Sequence, residues 1–302
     1  MSRQTHQSST PLRGVFWMLV AGLNFVAVTA LVKLVGTDVP AAQAAFLRYA
    51  LGLVFILPMI GVMRGARVDR QSLSLFAARG GFHAFAVILW FYAMARIPIA
   101  EVTALNYLNP VYVTLFAALF MGEGLAARRL VAVAAAFVGA ILVLRPGLRE
   151  VEIGHIAMLG TAIMFAGSYL LAKRLSSQFS AAVIVGYLSV FVTIGLFPFA
   201  VSVWVTPGLE DLGWLFLVAF FATAGHYTMT LAFAAAPLTV TQPVSFLQLV
   251  WASLLGWLVF NEGLDPFVIS GGALIVAAVS FITWREARLS RQVTPPPPAT
   301  KV

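Results

Sequence analysis

The chain of 302 residues is 61% hydrophobic and only 10% charged, with a mean hydropathy of +0.95. Soluble globular proteins are about half apolar, so this composition excludes a water-soluble fold. The net charge is +8 and there are no cysteines, which excludes a disulfide framework and a thiolate metal site. The basic residues lie in short segments between apolar runs. This pattern indicates the positive-inside bias of membrane proteins rather than nucleic-acid binding.

Ten apolar segments are each long enough to cross the roughly 30 Å hydrocarbon core of a bilayer as a helix. In chain order the predicted spans are 14–35, 41–62, 73–95, 99–121, 127–145, 153–173, 181–202, 210–235, 238–260 and 266–284. The first follows a polar tail, but comparable segments come after it, so it is interpreted as a span and not as a signal peptide. The sequence therefore predicts an all-α integral membrane protein with ten transmembrane helices.

Lysine and arginine are distributed unevenly between the predicted loops. With the amino terminus inside, the outer side holds only Lys33, Arg96, Arg145 and Arg149, and Arg48 lies within the second span. The other basic residues fall on the inner side, which predicts that both termini are cytoplasmic.

The two halves of the chain resemble each other. Segment 95–125 aligns without a gap on segment 234–264 at an offset of 139, and this places Glu123 over Glu262 within a shared Glu-Gly-Leu motif. Composition alone does not explain that match. The predicted organisation is a cytoplasmic tail 1–13, a first five-helix repeat 14–147, a second five-helix repeat 148–286 and a disordered cytoplasmic tail 287–302.

The second repeat is predicted to be inverted relative to the first. Each repeat holds five spans, an odd number, so equivalent loops fall on opposite faces of the membrane. The charges agree, because the Glu-Gly-Leu motif is followed by Arg128-Arg129 in the first copy and by Asp265-Pro266 in the second. Inverted repeats of this kind place a binding site near the midplane of the bilayer, between halves that rock alternately.

Three stretches resemble the drug/metabolite transporter superfamily in its EamA-type ten-span form. They are Asn109-Pro110-Val111 leading to Met121-Gly122-Glu123, Ser245-Phe246-Leu247-Gln248 leading to Asn261-Glu262, and Phe46-Leu47-Arg48-Tyr49. The resemblance covers the chain apart from its tails. One departure is Leu249, which stands where the first copy has Pro110. The resemblance implies a multi-pass carrier in the cytoplasmic (inner) membrane of a bacterium, similar to the amino-acid exporters of that group.

Polar and aromatic side chains inside the spans are the candidate substrate-binding residues, because a polar group in hydrocarbon costs a few kcal/mol without a partner. The candidates are His83 and Trp90 in span 3, Asn106 and Tyr107 in span 4, Tyr169 in span 6, His226 in span 8, and Gln242, Ser245 and Gln248 in span 9. Two alternatives stay open. His83 either lines a cavity or bonds to another helix, and the amides either line a cavity or hold helices together.

Two prolines, Pro110 in span 4 and Pro243 in span 9, are candidate hinges. Each removes a backbone hydrogen bond and frees a carbonyl about one turn earlier. The alternative is a static kink.

Charged residues near predicted span ends have structural interpretations. Arg48 and Lys33 are expected to extend their long side chains to the membrane interface. Glu123 and Glu262 are expected mainly to cap helices, with pairing across a gate as the alternative.

No aspartate or glutamate lies near the centre of a predicted span, so the carboxylate relay of many proton-driven carriers is missing. Motifs for intramembrane hydrolysis are also missing, which argues against an enzyme. We expect a secondary transporter without cofactor or metal that exports amino acids, aromatic ones included, or related zwitterions. The alternatives are uptake of a cofactor-like nucleotide, vitamin or sulfonium compound, or a membrane scaffold. The chain is expected to act as a monomer or weak homodimer.

Overall fold

A computed structural model describes residues 11–121, 127–175, 178–236, 238–245 and 247–293, and the parts of the chain outside these ranges are not discussed further. The described chain is almost entirely helical. Its elements in order are α1 Pro11–Val35, α2 Ala41–Gly52, a 3₁₀ helix Leu53–Met59, α3 Ile60–Gly65, α4 Arg70–Met94, α5 Ile99–Asn106, α6 Asn109–Met121, α7 Ala127–Leu144, α8 Ile153–Leu175, α9 Ala181–Ser202, α10 Leu209–Ala235, α11 Leu238–Ser245, α12 Leu247–Phe260 and α13 Pro266–Val293.

The helices match the predicted spans closely. Nine segments within the described ranges are long and apolar enough to cross a membrane. The remaining predicted span, 238–260, consists of the short helix α11 followed by the apolar helix α12. The prediction of an all-α integral membrane protein is confirmed.

The second span is not one regular helix. Between α2 and α3 the chain tightens into the 3₁₀ helix Leu53–Met59, which contains Pro58. Proline lacks an N–H and its ring clashes with the carbonyl four residues earlier. A 3₁₀ segment is a common local adjustment to such strain.

Span 4 is interrupted within its length. The interruption lies between α5 and α6 at residues 107–108. Pro110 sits in the first turn of α6, where its missing N–H has no intrahelical partner to lose. The predicted hinge at Pro110 therefore corresponds to an interruption two to three residues earlier.

The packing of the helices follows a twofold pattern. α1 packs along α10, and α4 packs along α8. If the repeats are superimposed, α1 corresponds to α8 and α10 to α4, so these two pairings are equivalent. The last spans of the two halves, α7 and α13, pack against each other.

Glycine allows the close contact between α7 and α13. A Cβ atom added to Gly139 would lie 2.6 Å from the carbonyl oxygen of Gly271. A Cβ atom added to Gly271 would in turn lie 2.8 Å from a methyl group of Val143. Small residues at membrane helix interfaces let two backbones approach in this way.

We expect Gly139→Ala to lower the apparent melting temperature by a few degrees, because the methyl group separates α7 from α13 at a cost of about 1–3 kcal/mol. Gly81→Ala in α4 is the matched control, since a Cβ there meets nothing within 4 Å. Thermal unfolding in detergent, followed by tryptophan fluorescence, makes the comparison. Equal melting temperatures for the two variants would show that the contact is not tight.

Candidate functional site

His83 lies deep in the bundle and joins three helices. Its Nδ1 is 3.2 Å from the hydroxyl of Ser168 on α8, and its Nε2 is 2.9 Å from the hydroxyl of Tyr49 on α2. Only 6% of its surface is exposed. Of the two interpretations left open by the sequence, the structure places this side chain in hydrogen bonds between helices.

An aromatic group extends from His83 along α4 and α8. The ring of Phe165 lies 4.8 Å from that of His83 and 6.1 Å from that of Trp90, and it stacks on Tyr169 at 5.8 Å. The indole Nε1 of Trp90 is buried and has no hydrogen-bond partner among the described residues. The group therefore offers both a flat apolar surface and an unused N–H donor.

Two side chains near this group keep exposed surface. Tyr169 on α8 is 39% exposed, although its ring stacks on that of the buried Phe165. His226 on α10 is also exposed. The ring of His226 also meets Phe25 of α1 edge-on at 5.1 Å.

Two arginines lie in the same region. Arg79 on α4 is 6% exposed and donates from Nη1 to the carbonyl of Ile184, 3.0 Å away. The guanidinium of Arg48 on α2 lies 4.0 Å from the centre of the Tyr49 ring. Arg79 lies one helical turn before His83 on α4, and the Tyr49 hydroxyl bonds His83. The expected extension of Arg48 to the membrane interface stays a prediction.

We call this group the central polar cluster; its members are Arg48, Tyr49, Arg79, His83, Tyr169 and His226. The sequence singled out three of these residues as binding candidates. It missed the role of Arg48, Tyr49 and Arg79, although an arginine within an apolar span is itself a signal of function.

The candidates of spans 4 and 9 form a second group where these two spans meet. The hydroxyl of Tyr107 donates to the carbonyl of Ser245, 2.8 Å away, which links span 4 to span 9. Asn106 accepts a bond from Asn109 at 2.9 Å. The Cβ of Gln248 lies 3.6 Å from the position that a Cβ on Gly22 of α1 would occupy.

The two remaining candidates, Gln242 and Pro243, lie on α11. Their side chains are outside the part of the chain whose side chains the structure describes. Glu123 also lies outside the described residues.

The distal face is the face of the bundle opposite residue 11, where loops 36–40, 95–98, 145–152, 203–208 and 261–265 lie. There Glu262 forms an ion pair with Lys33 of α1 and accepts the N–H of Ile99 at 2.9 Å. Lys33 also donates to a carbonyl oxygen at 3.0 Å. Lys33 therefore lies at the distal face, and its expected extension to the membrane interface stays a prediction. Glu262 caps the helix that begins at Ile99 and also pairs across helices.

A second ion-pair group on the distal face centres on Glu101. Both of its oxygens accept from Arg149 at 2.7 Å, and His155 approaches one of them. The hydrogen bonds that Arg149, in the α7–α8 loop, donates to the carboxylate of Glu101 raise the pKa of Arg149. Arg145 pairs with Asp265 nearby. Sequence analysis did not foresee these pairs, because charges at loop ends do not reveal their partners.

The ion pairs of the distal face all join a residue before 147 to a residue after 147. Gln43 adds two more links, since its amide accepts from the N–H of Val205 at 2.8 Å and donates to the carbonyl of Val205 at 2.6 Å. The two halves are therefore cross-linked at the distal face.

No group of three or more histidine, aspartate or glutamate side chains that could hold a metal occurs within the described ranges.

Comparison with known proteins identifies the family. A family model described as the EamA-like transporter family matches residues 12–145 and again residues 152–284. The chain belongs to this family. It is thus a multi-pass membrane transporter of small metabolites and not an enzyme, and the double match agrees with a chain of two related halves.

Characterised relatives of the EamA-like chain carry different substrates. It is 29% identical to the pseudopaline exporter CntI of Pseudomonas aeruginosa strain UCBPP-PA14, over 88% of this chain and 94% of that protein. It is 30% identical to a riboflavin transporter of Vibrio cholerae, over 93% of this chain and 96% of that protein. It is 23% identical to an S-adenosylmethionine uptake transporter of Rickettsia bellii, over 91% of this chain and 94% of that protein.

A solved crystal structure shares the fold of this transporter. The two superimpose with a TM-score of 0.60 at 19% sequence identity, over 92% of this chain and all of the other. At that identity the likeness concerns the fold alone.

The Lys33–Glu262 pair can be tested by a double-mutant cycle. We expect Glu262→Gln to lower the apparent melting temperature by several degrees, because it leaves a largely buried ammonium without its carboxylate. Lys33→Met combined with Glu262→Gln should recover part of that loss, since no charge is then left unpaired. Additive losses in the double variant would show that the two residues do not interact.

Proposed function

We propose that this chain is a secondary transporter that works by alternating access, with repeats 14–147 and 148–286 of opposite orientation moving against each other around the central polar cluster. The observation that carries the proposal is the position of that cluster. Charged and polar side chains lie inside the spans, and we infer that the exposed surfaces of Tyr169 and His226 among them border a substrate cavity. Ionisable residues at membrane depth mark substrate pathways.

The twofold packing supports the motion. Five spans in each half require opposite orientations if every span crosses the bilayer, and the equivalent pairs α1–α10 and α4–α8 flank the cluster. The ion pairs of the distal face hold the halves together on that side in this conformation. Opening towards the distal face requires these pairs to separate, while the interruption in span 4 allows the two halves of that span to tilt.

For the substrate we propose amino acids, aromatic ones included, moved outward. The rings of Trp90, Phe165 and Tyr169 provide stacking surfaces for an aromatic side chain. The indole N–H of Trp90 and the guanidinium groups provide donors for a carboxylate.

A second candidate is uptake of a cofactor-like metabolite. The relatives named as riboflavin and S-adenosylmethionine transporters favour it, since both names denote molecules of that class. An aromatic ring system such as a flavin would use the same stacking surfaces.

Flux into liposomes separates these candidates. Purified protein is tested with labelled tryptophan, tyrosine, leucine, riboflavin and S-adenosylmethionine, and saturable flux is expected for aromatic amino acids. Trp90→Phe should weaken apparent affinity roughly 2- to 10-fold, because it removes one hydrogen-bond donor and keeps a ring. Trp90→Ala should weaken it further. Trp257→Phe, at a tryptophan that is 51% exposed on α12, is the control and should leave flux unchanged.

Two outcomes count against the proposal. Saturable flux of riboflavin or S-adenosylmethionine but of no amino acid would favour the second candidate. Undiminished flux in Trp90→Ala would remove the aromatic group from the site.

The proposed topology has both termini on the cytoplasmic side of the inner membrane. The chain contains no cysteine, so single cysteines can be introduced into it without a background. A membrane-impermeant maleimide added to spheroplasts should label Thr37→Cys, in the α1–α2 loop, and should not label Arg67→Cys, in the α3–α4 loop. Permeabilised cells are the control and should label both. The reverse pattern would invert the topology.

A further inference from the structure

Two guanidinium groups inside the spans have few partners. Arg48 forms no hydrogen bond and no ion pair with any described residue, and its contact is the ring of Tyr49. Arg79 makes a single hydrogen bond, to Ile184. Its Nε is buried and unpartnered among the described atoms. A guanidinium carries five N–H donors, so most of the donors of this pair remain available.

The available donors lie on either side of His83. Arg48 lies over the ring of Tyr49, and the hydroxyl of Tyr49 is 2.9 Å from Nε2 of His83. Arg79 lies one helical turn before His83 on α4, so it is on the same side of that helix. The two arginines therefore approach His83 from α2 and α4.

Negative charge is missing from this region. Each acidic side chain that the structure describes lies in a loop, at a helix cap or in the first turn of a helix, and three of them form ion pairs at the distal face. The acidic residues are Asp38, Asp69, Glu101, Glu150, Glu152, Glu210, Asp211, Glu262 and Asp265. The three in ion pairs are Glu101, Glu262 and Asp265. The central polar cluster thus holds positive charge that the described residues do not neutralise.

An uncompensated charge at membrane depth is costly. The cost falls when an anion enters, because a guanidinium pairs with a planar oxygen anion through two parallel hydrogen bonds. Arginine is better suited to this than lysine, since its fork of donors is rigid and is always charged near neutral pH.

We propose that Arg48 and Arg79 form an anion subsite, and that the transported metabolite carries an anionic oxygen group, a carboxylate or a phosphate, which binds between them. The proposal rests on the transport function proposed above and narrows its substrate class. An amino acid satisfies it through its carboxylate, and substrates with a net negative charge satisfy it best. The proposal excludes, as a substrate, any cation that carries no anionic group.

Thermal shift on the purified full-length protein tests the subsite with matched probes. One arm compares carboxylates with their amides, namely succinate with succinamide and 4-hydroxyphenylacetate with 4-hydroxyphenylacetamide. The other arm compares phosphate esters with their alcohols, namely glycerol 3-phosphate with glycerol and phenyl phosphate with phenol. We expect at least one anion to raise the melting temperature and its neutral partner to have no effect, and the responding arm identifies the preferred group.

Variants then assign the effect to the two arginines. Arg48→Gln should weaken the apparent affinity for the responding anion roughly 10- to 100-fold, the range for a lost hydrogen bond to a charged group. This variant breaks no hydrogen bond of the described chain, so the fold should persist. Arg79→Gln should act similarly but also loses the bond to Ile184. Arg48→Lys should restore only part of the affinity.

Arg96 provides a matched control. Its guanidinium also lies over a neighbouring tyrosine ring, that of Tyr92, at 3.7 Å, but it is exposed at the distal end of α4. Arg96→Gln should leave anion binding unchanged.

The outcomes separate the two proposals. The anion subsite is overturned if no anion stabilises the protein, if neutral partners act equally well, or if Arg48→Gln and Arg79→Gln both keep the effect. If a neutral or cationic compound shows saturable flux that these variants leave intact, transport stands and the subsite falls. If anions bind through the arginines but nothing in the flux screen is transported, the subsite stands and the substrates proposed above are rejected.

Discussion

The structure depends on one constraint, which is that hydrocarbon offers no hydrogen-bond partner to a polar group. Most polar side chains in the spans meet it locally. Thr29, Thr103 and Thr114 each donate to the carbonyl four residues earlier in the same helix. His83 meets it by joining two hydroxyl groups from other helices. Two buried donors near His83, the Nε of Arg79 and the indole N–H of Trp90, have no partner among the described atoms.

The distribution of charge divides the protein into two regions with different roles. At the distal face, opposite charges from the two halves pair with each other, and Glu101 and Glu262 each serve two partners. In the centre, like charges gather without acids among the described residues. Paired charges hold a conformation closed, whereas uncompensated charges attract a ligand. Charged residues thus stabilise the distal face by pairing, whereas in the centre they are left available to bind a substrate.

The family places this architecture among carriers whose named substrates differ widely. Relatives of similar identity are named for pseudopaline, riboflavin and S-adenosylmethionine. A pocket built from side chains on several packed helices can change its ligand through a few substitutions while the helix packing is kept. Here the distinguishing features are the two arginines and the aromatic group on α4 and α8.

The sequence by itself determined the class of fold, the positions of the spans and the correspondence between the halves. These follow from hydropathy over about 20 residues and from a repeated motif, both of which are local properties. The sequence also identified His83, Trp90, Tyr169 and His226 as polar or aromatic groups at membrane depth.

Only the tertiary structure decided which of these residues meet. From the sequence, Arg48 and Lys33 were both long charged side chains near span ends. In the structure Arg48 lies over the ring of Tyr49, and Lys33 pairs with Glu262, 229 positions away. The break in span 4 falls before Pro110 and not at it, because the first turn of a helix tolerates proline. Partners that are distant in the chain are set by how helices pack, and the local pattern of residues does not contain that information.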